Sequence, residues 1–118
     1  MRQWIDVCDV KDVPKDTFKI IQVKNKSIGL IWDMGSIVAL QNYCPHEGAE
    51  ICRGKVRPRV VVSETGKPKY HCEQRVIACP WHGWEFSITS GAPEFDARRP
   101  TLKLYKSKVF DGRVSILV

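Results

Sequence analysis

Apolar and polar residues alternate in short runs along most of the chain, and no stretch of twelve or more residues keeps an apolar stripe at helical spacing. The pattern predicts an all-β protein. Strands are expected over Trp4–Val7, Phe18–Val23, Ile28–Asp33 and Ser36–Gln41, with Asn25-Lys26 and Met34-Gly35 as the turns between them. Val60–Ser63 and Tyr70–Ala78 read as the arms of a hairpin closed through Thr65-Gly66-Lys67-Pro68. Trp84–Ile88 resumes the sheet and Ser90-Gly91 turns it. Val109–Val114 is a hairpin around Asp111-Gly112, the pair that suits a two-residue turn.

With 118 residues the chain has room for one domain, 1–118, and one core. Its longest apolar stretches, Ile28–Trp32 and Ile37–Leu40, are far short of a membrane span. The N-terminal residues include Asp6 and no continuous apolar run, so neither a signal peptide nor a membrane partner is expected, and a cytoplasmic location is. Lysine and arginine give a net charge of +6 but are spread through strands and turns without a nucleic-acid-binding motif. Such a charge equally serves docking to an acidic protein. Five cysteines, an odd number, in a reducing compartment favour metal binding over a disulfide scaffold.

The candidate chemistry lies in two short segments, Cys44-Pro45-His46 and Cys79-Pro80-Trp81-His82, which together supply two thiolates and two imidazoles. Ligands so close in sequence cannot belong to separate elements, so each pair needs a tight turn facing a common centre. Pro45 and Pro80 restrict the backbone after each cysteine, and Gly48 and Gly83 allow conformations or approaches that a Cβ would obstruct. The second segment comes directly off a hairpin strand, a rigid support for a metal loop. Two sulfur and two nitrogen donors suit an iron–sulfur cluster. They also suit structural zinc, a remote alternative, because the finger spacing and helix are absent.

At these residues the chain resembles the Rieske 2Fe-2S family. Cys44-Pro-His-Glu-Gly-Ala49 and Cys79-Pro-Trp-His-Gly-Trp-Glu-Phe86 fit its two cluster-binding boxes, and a looser likeness runs through Ser90-Gly91, Phe95-Asp96 and Asp111-Gly112-Arg113-Val114. The resemblance implies three antiparallel sheets and a cluster-binding subdomain at about residues 42–90, with an extended hairpin at about 57–78. It also implies that Cys44 and Cys79 bind the buried iron and His46 and His82 the outer one. Two thiolates balance the charge of an oxidised cluster where four would leave it negative, which makes an added electron less costly.

Rieske proteins of cytochrome complexes have a further cysteine in each box, where this chain has Ala49 and Trp81, and a sulfide-bonding serine where it has Trp84. Fewer hydrogen bonds to sulfur mean a lower potential. The likeness is therefore to the low-potential branch of Rieske ferredoxins and ring-hydroxylating oxygenases. An oxygenase needs two further histidines for a mononuclear iron, and only His71 is left; a glycine-rich dinucleotide fingerprint is also missing. The expected role is thus not enzymatic. It is that of a ferredoxin taking single electrons from a flavin-dependent reductase and passing them to a terminal oxygenase or other oxidoreductase. The alternative is a permanent Rieske subunit similar to the small subunit of assimilatory nitrite reductase.

Thirty-two residues separate His46 from Cys79, more than the family usually has, and the excess falls in the hairpin. Arg53, Lys55, Arg57, Arg59, Lys67, Lys69 and Arg75 against Glu64 and Glu73 make this either a basic flap for an acidic partner or a solvated hairpin. Cys8, Cys52 and Cys72 are expected as structural thiols, with a Cys52–Cys72 link left open. His71 is expected as a strand residue, with a second metal site at His71-Cys72 as the alternative. Trp4 and Trp32 are expected in the core, and Trp81 and Trp84 as cover for the cluster.

Overall fold

A computed structural model describes the backbone of residues 2–45, 48–81, 83–94 and 98–118, and their side chains except those of Val61, His71, Cys72 and Glu73. Three antiparallel sheets make up the protein, as expected. The first holds β1 (Trp4–Asp9), β10 (Arg113–Leu117) and β9 (Ser107–Phe110), in that order. The second runs β2 (Lys19–Val23), β3 (Lys26–Asp33), β4 (Ser36–Gln41) and β8 (Leu104–Tyr105). The third runs β5 (Lys55–Val62), β6 (Pro68–Ala78) and β7 (Glu85–Ser87). Among the described residues no helix is long and apolar enough to cross a membrane.

Three of the hairpins close on two-residue turns with both residues at positive φ: Lys24-Asn25, Met34-Gly35 and Asp111-Gly112. That handedness matches the twist of the paired strands, so the turn at Lys24-Asn25 forms even though neither residue is glycine. It lies one residue earlier than the sequence pattern suggests.

The second sheet is covered on both faces, which is why β3 reads as a nearly unbroken apolar run. Ile28, Leu30, Ile37 and Ala39 face the first sheet together with Val114 and Ile116. Ile31 and Leu40 face the other way, into a cluster with Ile77, Phe86 and the cysteines Cys44 and Cys79. Trp4 departs from its expected place in the core. It stands 43% exposed on the edge strand β1, with Lys108 Nζ 4.2 Å from its ring centroid. Trp32 is half-buried against the first core.

The hairpin of the third sheet begins five residues before Val60. Pro58 has no N–H for a ladder, but β5 is an edge strand, where a proline is tolerated. Next to it the register slips: Pro58 pairs with Arg75 and Arg59 with His71, so residues 72–74 form a bulge. Two-residue β8 has too little sequence to show an alternation and is held by pairing with Ala39 and Leu40.

A single arginine ties the third sheet to the second. Arg75 Nε donates to Asp33 Oδ1 at 3.0 Å, and its terminal nitrogens donate to the carbonyls of Lys15 and Trp32. Both side chains are largely withdrawn from water, at 18% and 5% exposure. Removing one partner of a buried pair strands the other charge. Asp33→Ala is expected to cost about 3 kcal/mol, the low end for such a loss because Arg75 keeps its carbonyl partners. Denaturant unfolding measures it, and a loss under about 1 kcal/mol, as for exposed pairs, would rule out the clamp.

Candidate metal centre

Two loops with the same internal bonding leave the second and third sheets. In the first, Cys44 N donates to Ala49 O at 2.8 Å and Gly48 N to Cys44 O at 2.7 Å. In the second, Cys79 N donates to Trp84 O at 2.7 Å and Gly83 N to Cys79 O at 2.9 Å. Each cysteine thus opens a six-residue loop closed at the same offsets. Gly48 and Gly83 occupy the same position with φ of +79° and +71°, where a Cβ is strained. A Cβ on Gly48 would also lie 3.1 Å from the Tyr43 ring.

With their backbone groups bonded inside the loops, Cys44 and Cys79 turn inward and are 0% and 3% exposed. Both belong to one buried cluster with Ala49, Ile51, Ile77 and Phe86. His46 and His82 lie outside the described residues. Two buried cysteines on matching loops fit the sulfur half of a mixed sulfur–nitrogen donor set, as a 2Fe-2S cluster with two histidines requires.

What brings the loops together is the base of the hairpin. The chain leaves the first loop through a 3-10 turn at Ile51–Arg53 and passes Gly54. It then enters β5, where Lys55 pairs with Ala78, the residue before Cys79. Gly54 packs so closely here that a Cβ would stand 1.8 Å from Ala78 O. Asn42, buried just before the first loop, spans it: its Oδ1 accepts from Cys52 N at 2.8 Å, and its Nδ2 donates to Ser27 Oγ at 3.1 Å. Neither Asn42 nor Gly54 belongs to a ligand motif. Their sequence signal is position: one lies two residues before Cys44, the other directly before the hairpin.

Cys52 is a structural thiol, as expected, and forms no disulfide. Burial, reinforced by the carboxylate of Glu50, pushes its pKa up to about 12, so it stays protonated and is a poor metal ligand. Its sulfur fills the space beside Gly29, where a Cβ would come within 2.2 Å of it. Cys8 is also buried, and burial raises its thiol pKa. The side chains of Cys72 and His71 lie outside the described residues, as do Phe95 and Asp96.

All four arginines of the expected basic flap pair within the molecule. Arg53 pairs with Glu50 at 2.9 Å, Arg57 with Glu85 at 2.7 Å, Arg59 with Glu94 at 3.4 Å and Arg75 with Asp33. Trp84 packs partly against the buried cluster, with Arg99 5.5 Å from its ring centroid, whereas Trp81 is 58% exposed.

Gly54→Ala should separate β5 from Ala78 and lower stability by about 1–3 kcal/mol, the range for overpacking; unchanged unfolding would show that the contact is not required. For Cys52, the folded protein keeps a proton between about pH 9 and 12 that the unfolded chain releases, so stability should fall as pH rises through that window. Unfolding curves of wild type and Cys52→Ala across that range test this. The same slope in both would exclude Cys52 as the source.

The sequence matches the Rieske [2Fe-2S] domain over residues 3–106. It is 28% identical over 110 residues to apoptosis-inducing factor 3 of Mus musculus, covering 93% of this chain but only 16% of that much longer protein. It is 26% identical to the ferredoxin component of the naphthalene 1,2-dioxygenase/salicylate 5-hydroxylase systems of a Ralstonia species, covering 98% of this chain and 95% of that one. Among solved structures, the ferredoxin of carbazole 1,9a-dioxygenase from Nocardioides aromaticivorans superimposes with a TM-score of 0.74, at 19% identity over 97% of this chain and 96% of the other. A Mycobacterium tuberculosis chain described as an NADH-dependent nitrite reductase small subunit gives 0.77, at 20% identity over 100% and 96%. The three sheets, the paired cysteine loops and the match across most of the chain agree: this protein belongs to the Rieske 2Fe-2S domain family, and its cofactor is a Rieske 2Fe-2S cluster.

Proposed function

We propose that the protein is a one-electron carrier in which Cys44, His46, Cys79 and His82 hold the cluster. The observation that carries this reading is the matched closure of the two loops, which sends both cysteines into one buried cluster. When bound, the cluster supplies reversible one-electron reduction at a potential set by its ligands and their surroundings. Cys44 and Cys79 contribute the negative charge from the core side. His46 and His82 contribute neutral donors, each with a second ring nitrogen for solvent or a partner. The hydrogen bonds within the loops and the hairpin base hold Cys44 and Cys79 in place, so their backbone has little need to move when the charge changes.

Within that role the protein acts as a ferredoxin, receiving electrons from a flavin-dependent reductase and delivering them to a terminal oxygenase. Support comes from the end-to-end correspondence with the Ralstonia ferredoxin component. A second reading, a permanent subunit like the nitrite reductase small subunit, is supported by full-length agreement in fold with the Mycobacterium tuberculosis chain. Stable co-purification with a large partner would favour the second reading, and a monomer that turns over with separate components the first. Buried thiols at Cys8 and Cys52 suit a reducing cytoplasm. A single domain over 1–118, with residues 42–90 as its cluster-binding part, suits the single shared fold.

The purified protein should be reddish-brown, contain iron and acid-labile sulfide, and show a rhombic paramagnetic signal of low average g on reduction. A colourless protein binding zinc would overturn the reading. His46→Cys and His82→Cys should each lower the midpoint potential, because a third thiolate adds negative charge. An unchanged midpoint in both variants, measured by redox titration, would exclude the two histidines as ligands.

A further inference from the structure

The hairpin's arginines pair with carboxylates within the molecule, and a second concentration of positive charge lies away from the hairpin. A groove of about 260 Å³ is lined by Arg2, Lys26, Lys103, Leu104, Tyr105 and Lys106. Among the described residues none of these four cations pairs with a carboxylate. Lys26 and Lys103 instead direct their ammonium groups at the Tyr105 ring, 5.9 and 5.3 Å from its centroid. Neighbouring Lys24 is engaged by Val118 O at 3.2 Å. Four like charges around one groove repel one another, and a partner's negative charge removes that cost.

The cations come from three separate segments and surround a floor of Leu104 and Tyr105. Charge spread over an apolar and aromatic floor suits several carboxylates of a protein surface better than one compact anion. Lys108 stands over the exposed Trp4, whose strand partner Leu117 also lines the groove. The groove also adjoins the first cysteine loop. Lys103 O accepts from Gln41 N at 2.9 Å, and Ser27 O, next to Lys26, accepts from Asn42 N at 2.8 Å. Gln41 is three residues before Cys44, which is about 10 Å of chain at most.

We propose that this groove, rather than the extended hairpin, is the docking surface for an acidic face of the redox partner. The partner's nature rests on the electron-carrier reading above; the surface itself does not. Long-range attraction at such a patch steers association and fixes the side from which the partner reaches the cluster.

The test uses the cluster-loaded protein and a fluorescein-labelled octaglutamate peptide, followed by fluorescence anisotropy at low ionic strength. Replacing Lys26, Lys103 and Lys106 together by glutamine should weaken binding at least tenfold, and added salt should do the same. Replacing Lys55, Lys67 and Lys69 of the hairpin should change it less than twofold. No binding, or equal losses in the two triple variants, overturns the proposal. So does a groove that binds pyrophosphate but not the peptide, which would mark a small-anion site. The visible spectrum and dithionite reduction of the same samples report on the cluster: a protein that takes up no cluster contradicts the carrier reading, whereas an intact cluster with indifferent binding contradicts only the docking surface.

Discussion

Two cysteine loops far apart in sequence have to arrive at one place, and a close backbone contact at the base of a hairpin arranges it. Gly54 lies against Ala78 O, so the strand that leaves the first loop is joined to the strand that enters the second one residue before Cys79. The loops are thereby fixed at the base of a hairpin, whatever its length. Most of the stretch between His46 and Cys79 is taken up by β5 and β6, whose arms run past the bulge at 72–74 and away from that base.

The rest of the fold supports that base. Arg75 anchors β6 to Asp33 at the end of β3, while Asn42 bridges the first loop to Cys52. Cys52 fills the space over Gly29 on the second sheet. These contacts join the loops to a sheet that is buried on both faces. A redox centre benefits from a rigid setting, since any rearrangement on gaining charge raises the barrier to transfer.

Charge is distributed with the same economy. Arginines near the loops are bound to Glu50, Glu85, Glu94 and Asp33, and a separate group of cations stands around Tyr105. The sequence shows a basic hairpin because its cations are adjacent in the chain. In three dimensions the acids that neutralise them come from β3, β7 and the segments after the first loop and after β7, which no local window contains.

Much of the protein was legible in one dimension. Period-2 alternation and turn residues were enough for the all-β class and most strands, because a strand's two faces are written locally. The two cysteine loops were legible for a similar reason, since each is closed by bonds between residues five positions apart or fewer. Trp4 was misplaced because an edge strand at the rim can leave a large aromatic half in water, and β8 was missed because two residues carry no period. Only the tertiary structure decided the roles of Gly54, Asn42 and Arg75, and which cations remain unpaired. Each depends on a contact between segments distant in the chain, and such contacts are set by how the three sheets pack rather than by any neighbouring residue.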